Sequence, residues 1–139
     1  MKLIIDCNVI ISAALTDGIC RQVVFKALKK HKIIVTDCIL SEYKAVAMRK
    51  KFLSVQYVLL EIIEIIEALA AKIEDSVVEG IIIPDPKDLI YVYAGINAQA
   101  NYLITGNIKD FPELVYKSVE VILPNSFLLL TMQTELAFL

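Results

Sequence analysis

Three acidic residues stand where apolar runs give way to helical stretches. Asp6 ends Lys2-Leu3-Ile4-Ile5, Glu42 comes shortly after Lys32-Ile33-Ile34-Val35-Thr36-Asp37, and Asp88 opens the run after Ile81-Ile82-Ile83-Pro84. Short β-branched segments of this kind read as strands. In an open α/β sheet, ligands bind outside the carboxyl ends of the strands, near the point where strand order reverses. Acids delivered from three such positions would share one cleft. Crowded carboxylates repel unless positive charge stands between them. A hard divalent cation is the economical occupant, and phosphoryl transfer the economical chemistry. Helix capping is the competing explanation for each acid alone, since Asp is favoured at N-caps and in first turns.

Composition narrows the field. The chain has 139 residues, is 58% hydrophobic and carries a net charge of −2. That describes a single folded unit, 1–139, with a real core, and excludes a generically basic nucleic-acid binder. Any nucleic-acid role must be local, using a metal and a few cations, which could include Lys29, Lys30 and Lys32 or Arg49, Lys50 and Lys51. Either cluster taken alone is a solvated helix end. Cys7, Cys20 and Cys38 are odd in number and lack CxxC spacing, which suits a reducing cytoplasm rather than a disulfide framework or zinc site. His31, the one histidine, lies in a basic turn and is expected on the surface. Asp6 and Asn8 interrupt the first apolar run, against a signal peptide. Residues 89–108 lack charge over a length that could span a bilayer, but Gly95, Asn97, Gln99, Asn101 and Gly106 make them a half-buried helix and a strand. No membrane association is expected.

The elements that must position the acids follow from periodicity. Strands are expected at 2–6, 33–36, 77–83, 101–105 and 118–123, and helices at 8–15, 21–30, 41–51, 55–73, from Asp88 to about Ala100, and after Pro124. Thr36 or Asp37 can cap the third helix and Ser54 the fourth. This alternation implies an α/β fold with a parallel sheet covered on both faces. In 55–73, Glu61, Glu64 and Glu67 form a narrow polar stripe, and apolar residues cover nearly everything else. A surface helix usually shows one apolar stripe. Ile62, Ile63, Ile66 and Leu69 are therefore expected at an interface with a second copy or another protein, the alternative being a helix sandwiched within the monomer.

The ordered motifs resemble a known family. Asp6-Cys7-Asn8 with Ile10-Ile11-Ser12 looks like the first motif of PIN domains, and Ser41-Glu42 like their second acid. Pro84-Asp85-Pro86-Lys87-Asp88 looks like the third, and Asn101-Tyr102-Leu103-Ile104-Thr105-Gly106-Asn107 with Asp110-Phe111-Pro112 like the block that follows. The resemblance spans 3–124 and is nearest to the VapC-like ribonuclease toxins of toxin–antitoxin pairs. It implies a three-layer α/β/α fold with a mostly parallel central sheet, and a metal-dependent endoribonuclease that hydrolyses RNA with a water activated by carboxylate-bound Mg²⁺ or Mn²⁺. In that pattern Asp6, Glu42 and Asp88 bind the ion, Asn8 and Ser12 orient the first acid, and Thr105 sits at the site edge. RNA, a protein antitoxin and further copies of the chain are the implied partners.

Two positions depart from the pattern. Cys7 stands where Thr is frequent, and Asn107 where a fourth acid is often found. Asp110 or Asp85 is near enough in sequence to replace that acid, and a second metal is the function put in question. A non-catalytic PIN-like module that binds RNA or protein is the second reading. A haloacid-dehalogenase-like phosphatase would want an acid at Asn8, and a phospho-receiver domain a pair of early acids where only Asp6 is present.

Overall fold

The structure, a computed structural model, describes residues 1–137; the last two residues of the expected 1–139 unit lie outside them. Among the described residues, the chain runs β1 (Lys2–Ile5), α1 (Cys7–Leu15), α2 (Ile19–Lys30), β2 (Lys32–Val35), α3 (Asp37–Ala47), α4 (Gln56–Leu69) and β3 (Ala71–Lys72). It continues through α5 (Leu89–Ala98), β4 (Tyr102–Ile104), β5 (Val115–Tyr116), β6 (Val119–Ile122) and α6 (Pro124–Leu136). Short 3₁₀ turns occupy Lys50–Val55, Pro86–Asp88 and Ile108–Asp110.

The strands form one sheet in the order β3-β2-β1-β4-β6-β5. All neighbours are parallel except the edge strand β5, which pairs antiparallel with β6. Leu3, Ile4 and Ile5 of β1 are wholly buried, as a central strand covered on both faces requires. From β1 the chain moves outward through β2 and β3, then returns to the other side of β1 as β4. The β1–β4 junction is thus the point where strand order reverses, and their carboxyl ends open the crevice that such sheets use for ligands.

Right-handed crossovers taken in opposite directions put their helices on opposite faces. α5 lies against β1, β2, β4 and β6, whereas α1 packs on α2 and α4, and α2 on α6. The result is the expected three-layer α/β/α arrangement around one continuous apolar core. α5 approaches the sheet closely at Gly95, where a Cβ would lie 3.1 Å from Val119 and 3.5 Å from Ile4. The absence of a side chain there fixes how deep the helix sits, and with it the Asp88 at its start.

Several expectations need correction. α3 begins at Asp37 rather than Ser41, because the Thr36 hydroxyl accepts from Ile39 N and caps it. Ser54 caps nothing; it lies inside a 3₁₀ turn, and Val55 occupies the N-cap of α4 without a side-chain bond. α4 ends at Leu69, and the residues after it, expected to be helical, supply β3. β3 takes the edge of β2, so 77–83 runs outside the sheet and the expected strand there is absent. Three of the four α4 residues expected at an interface face the core instead. Ile62, Ile63 and Ile66 are 4%, 1% and 0% exposed, and Leu69 alone of the four named residues is open to solvent. α1, α3 and β2 pack against α4 and cover its Leu59, Ile62, Ile63 and Ile66 face, while Tyr57, Val58, Ile65 and Leu69 stay exposed. Residues 89–108 form α5 and β4 as expected, and among the described residues no single helix is long and apolar enough to cross a membrane.

Candidate active site

Asp6 is the first residue beyond β1, and Thr105 the first beyond β4. Because the two strands are parallel neighbours, with Ile5 opposite Ile104, both side chains emerge at the same level of the crevice. Thr105 Oγ1 donates to Asp6 Oδ2 at 2.8 Å, and Asn8 Nδ2 donates to the same oxygen at 3.2 Å. Asn8 Nδ2 also reaches Thr105 Oγ1 at 3.3 Å, while Asn8 Oδ1 accepts from Gly106 N at 3.1 Å. Asn107 N donates to Thr105 Oγ1 at 3.0 Å. The threonine hydroxyl thus uses its one donor and both acceptor positions, tying the first turn of α1 to the loop after β4 through Asp6.

This network decides against simple capping. Asp6 occupies the N-cap of α1 without forming a side-chain cap bond, and Asp88 does the same at α5. Asp6 is 4% exposed. Burial raises its pKa, with a smaller push from Asp110, against the Thr105 bond and the nearby amides of Asn8 and Cys7. Asp88 is pushed up to about 6, first by burial and then by the negative charges of Asp6, Asp110, Asp85 and Glu42. Each of those four acids raises the cost of ionising Asp88.

Glu42 comes from the half-buried side of α3. Its neighbour Tyr43 is buried and donates its hydroxyl to Ile5 O, the last carbonyl of β1. That bond pins α3 to the strand end that carries Asp6. Nothing in the sequence distinguishes Tyr43 from an ordinary core aromatic. Tyr91, also missed, places a buried hydroxyl without a hydrogen-bond partner close to the Cys7 thiol. Burial, then the charge of Asp6, pushes Cys7 up to about 12, so Cys7 is a neutral, packed thiol and not a nucleophile.

The remaining expected residues divide. Asn107 donates its side-chain amide to Asp110 Oδ2 at 2.8 Å, so the amide found at the acid position holds the next acid along. Asp85 accepts from Lys87 N at 3.0 Å and caps the turn before α5; its charge reaches Asp88, but it stands exposed at the rim. Ser12 makes no hydrogen bond to Asp6 among the described residues. It lies a turn beyond Asn8, beside the Cys20 thiol, and lines a hollow of about 340 Å³ with Asn8, Gly106 and Asn107. The expectation that Ser12 orients the first acid is corrected: Asn8 and Thr105 do so.

The donor set is entirely oxygen, which fits Mg²⁺ or Mn²⁺. Among the described residues, no three Asp, Glu, His or Cys side chains are gathered to ligating distance. Mg²⁺ keeps several waters and is commonly held through one or two carboxylates, so an oxygen-only site with Asp6 as its ordered carboxylate suits such an ion.

The PIN domain family model matches residues 2–109. The match covers most of the chain, and the chain belongs to the PIN domain family. No curated protein matches the sequence significantly. Among solved structures, the chain is similar to one described as VapBC2 from Rickettsia felis bound to a DNA fragment from their promoter. The TM-score is 0.61 at 18% identity, covering 88% of this chain and 98% of that one, a likeness of fold.

Proposed function

We propose that this chain is a metal-dependent endoribonuclease and the toxin of a toxin–antitoxin pair. The observation that carries the reading is Asp6, buried and locked by Thr105 and Asn8 at the strand-order switch, with Asp88, Glu42 and Asp110 around it. A divalent ion supplies Lewis acidity and makes water ionisable near neutral pH. Asp6 and Asp88 would hold the ion, with Glu42 beside them and Asp110 steadied by Asn107. Thr105 and Asn8 keep Asp6 in one orientation. Membership of the PIN family and the fold shared with VapBC2 support the reading. A protein antitoxin, assembly into oligomers and a cytoplasmic setting belong to the same proposal.

The test is cleavage of structured RNA by the purified chain in Mn²⁺ or Mg²⁺, with EDTA and Asp6→Asn alongside. Metal-dependent cutting that disappears in the variant supports the assignment; metal-independent cutting, or full activity in Asp6→Asn, rejects it. Asn107 in place of an acid, and ligands not drawn together, favour one other reading, a non-catalytic RNA- or protein-binding module. A folded wild type that neither cuts RNA nor binds Mn²⁺ would support that module.

A further inference from the structure

A second hollow, about 510 Å³, opens on the other side of the carboxylates. Glu42 forms part of its wall, so the hollow borders one of the candidate metal-binding acids. Ala45 and Ile90 give it an apolar surface, Ser41 a hydroxyl, and Asp37 and Lys87 charge. Asp37 is paired with Lys72 at 2.6 Å. Lys87 has no carboxylate within ion-pair distance among the described residues, and it is held beside Asp88 by the capped turn at Asp85. An unmatched ammonium at the mouth of a half-apolar hollow, next to clustered acids, suits a ligand with an anionic group and a flat apolar face.

We infer that this hollow is a nucleotide subsite: it receives the base and ribose adjacent to the scissile phosphate, and Lys87 Nζ contacts the next phosphate along the RNA. The inference rests on the ribonuclease reading above and names how that site grips its substrate. It also explains how an acidic chain binds a polyanion, with one cation placed where the backbone leaves the acids. Lys87 is a binding residue here, and Ala45 sets the room for the base.

The experiment measures binding of a short fluorescein-labelled single-stranded RNA by anisotropy, in Ca²⁺ over a salt series, and steady-state cleavage in Mn²⁺. Lys87→Ala is expected to weaken binding about tenfold and to make the dependence of log K on log salt shallower by about 0.7, the share of one phosphate contact on a single strand. KM should rise more than kcat falls, and Lys87→Arg should restore most of the loss. Ala45→Trp, at an exposed position, should weaken RNA binding by filling the hollow while Mn²⁺ binding persists. Lys117→Ala, in the turn between β5 and β6, is the control. Wild-type chain that binds and cuts RNA while both Lys87→Ala and Ala45→Trp match it overturns this inference alone. Wild-type chain that neither binds nor cuts RNA overturns the inference together with the ribonuclease reading.

Discussion

The two ends of the sheet treat charge in opposite ways. At the amino end, Lys26 and Lys30 share Glu135 at 2.8 and 3.0 Å. Lys2 Nζ donates to Ala98 O and Lys32 Nζ to Leu69 O, each cation meeting the carboxyl end of a helix where the dipole favours it. Elsewhere Asp17 pairs with Arg21, Lys44 with Glu67 and Asp37 with Lys72, but the acids at the carboxyl end of the central strands stand apart. Asp6, Glu42, Asp85, Asp88 and Asp110 enter none among the described residues. Yet this end has the more elaborate hydrogen bonding, centred on Thr105. A frame that orders acids while leaving their charge unmatched forgoes stability in the apo chain, the pattern expected of a functional site.

Removing the first acid should break this contrast most completely. Asp6→Asn keeps an acceptor for Thr105, so the fold and its network should survive. Mn²⁺ affinity, by calorimetry, and RNA cleavage should each fall beyond the roughly 10–100-fold that loss of an outer partner costs. Unchanged Mn²⁺ affinity would mean that Asp6 is a structural residue.

Thr105→Val removes the hub and keeps the acid. The variant is near-isosteric, but it leaves Asp6 short of a donor at a buried position and the Asn8 and Asn107 amides short of an acceptor in part-buried ones. About 1–3 kcal/mol of stability should be lost, and Mn²⁺ affinity should fall roughly 10-fold or more. A denaturation midpoint equal to wild type would show that the network does not hold the site together.

Asp88 sharpens the comparison through pH. Its folded pKa, about 6, lies above the ordinary aspartate value. The stability it permits is therefore fully present below pH ~4 and is lost as pH rises through about 6. In metal-free buffer, the melting temperature of wild type should fall over that window relative to Asp88→Asn, which should melt higher at pH 7. The effect is smaller than for Thr105, because Asp88 is partly exposed and solvent screens its neighbours. Parallel melting curves for the two proteins would remove the repulsion from the argument.

Legibility in the sequence follows the same divide between local and distant causes. β1 and Asp6 were readable because a buried strand announces itself as an apolar run, and the acid ends it. β3 was not, since Ala71–Lys72 continues the composition of α4, and only the extended backbone of Ala70 marks the break. β6 was expected at 118–123, but β5 and the turn that joins it to β6 were missed because the positive φ values fall on Leu114 and Lys117, without the glycine or asparagine that usually signals them. On α4, Ile62, Ile63 and Ile66 turned out to be core residues, because one helix's sequence does not say which of its apolar faces its own chain will cover. Asp6, Asn8, Asp88 and Thr105 were found by order and type. Tyr43 is tied to the end of β1, and Lys87 brought to the wall of the hollow beside Glu42, by packing that no local pattern encodes.

The smallest expected effect comes from the matched end. Glu135 lies on α6 and serves two lysines of α2, one of them well exposed. Those lysines hold its carboxyl below the usual range through hydrogen bonds and charge, but a solvated pair gains little over water and is weakened by salt. Glu135→Gln should leave the melting temperature at physiological salt, the Mn²⁺ affinity and RNA cleavage where they are. A loss of stability as large as that of Thr105→Val would mean that pairing at the amino end holds α6 in place. The unmatched acids at the other end would then be affordable because charge elsewhere offsets them, and the two ends would be coupled rather than merely different.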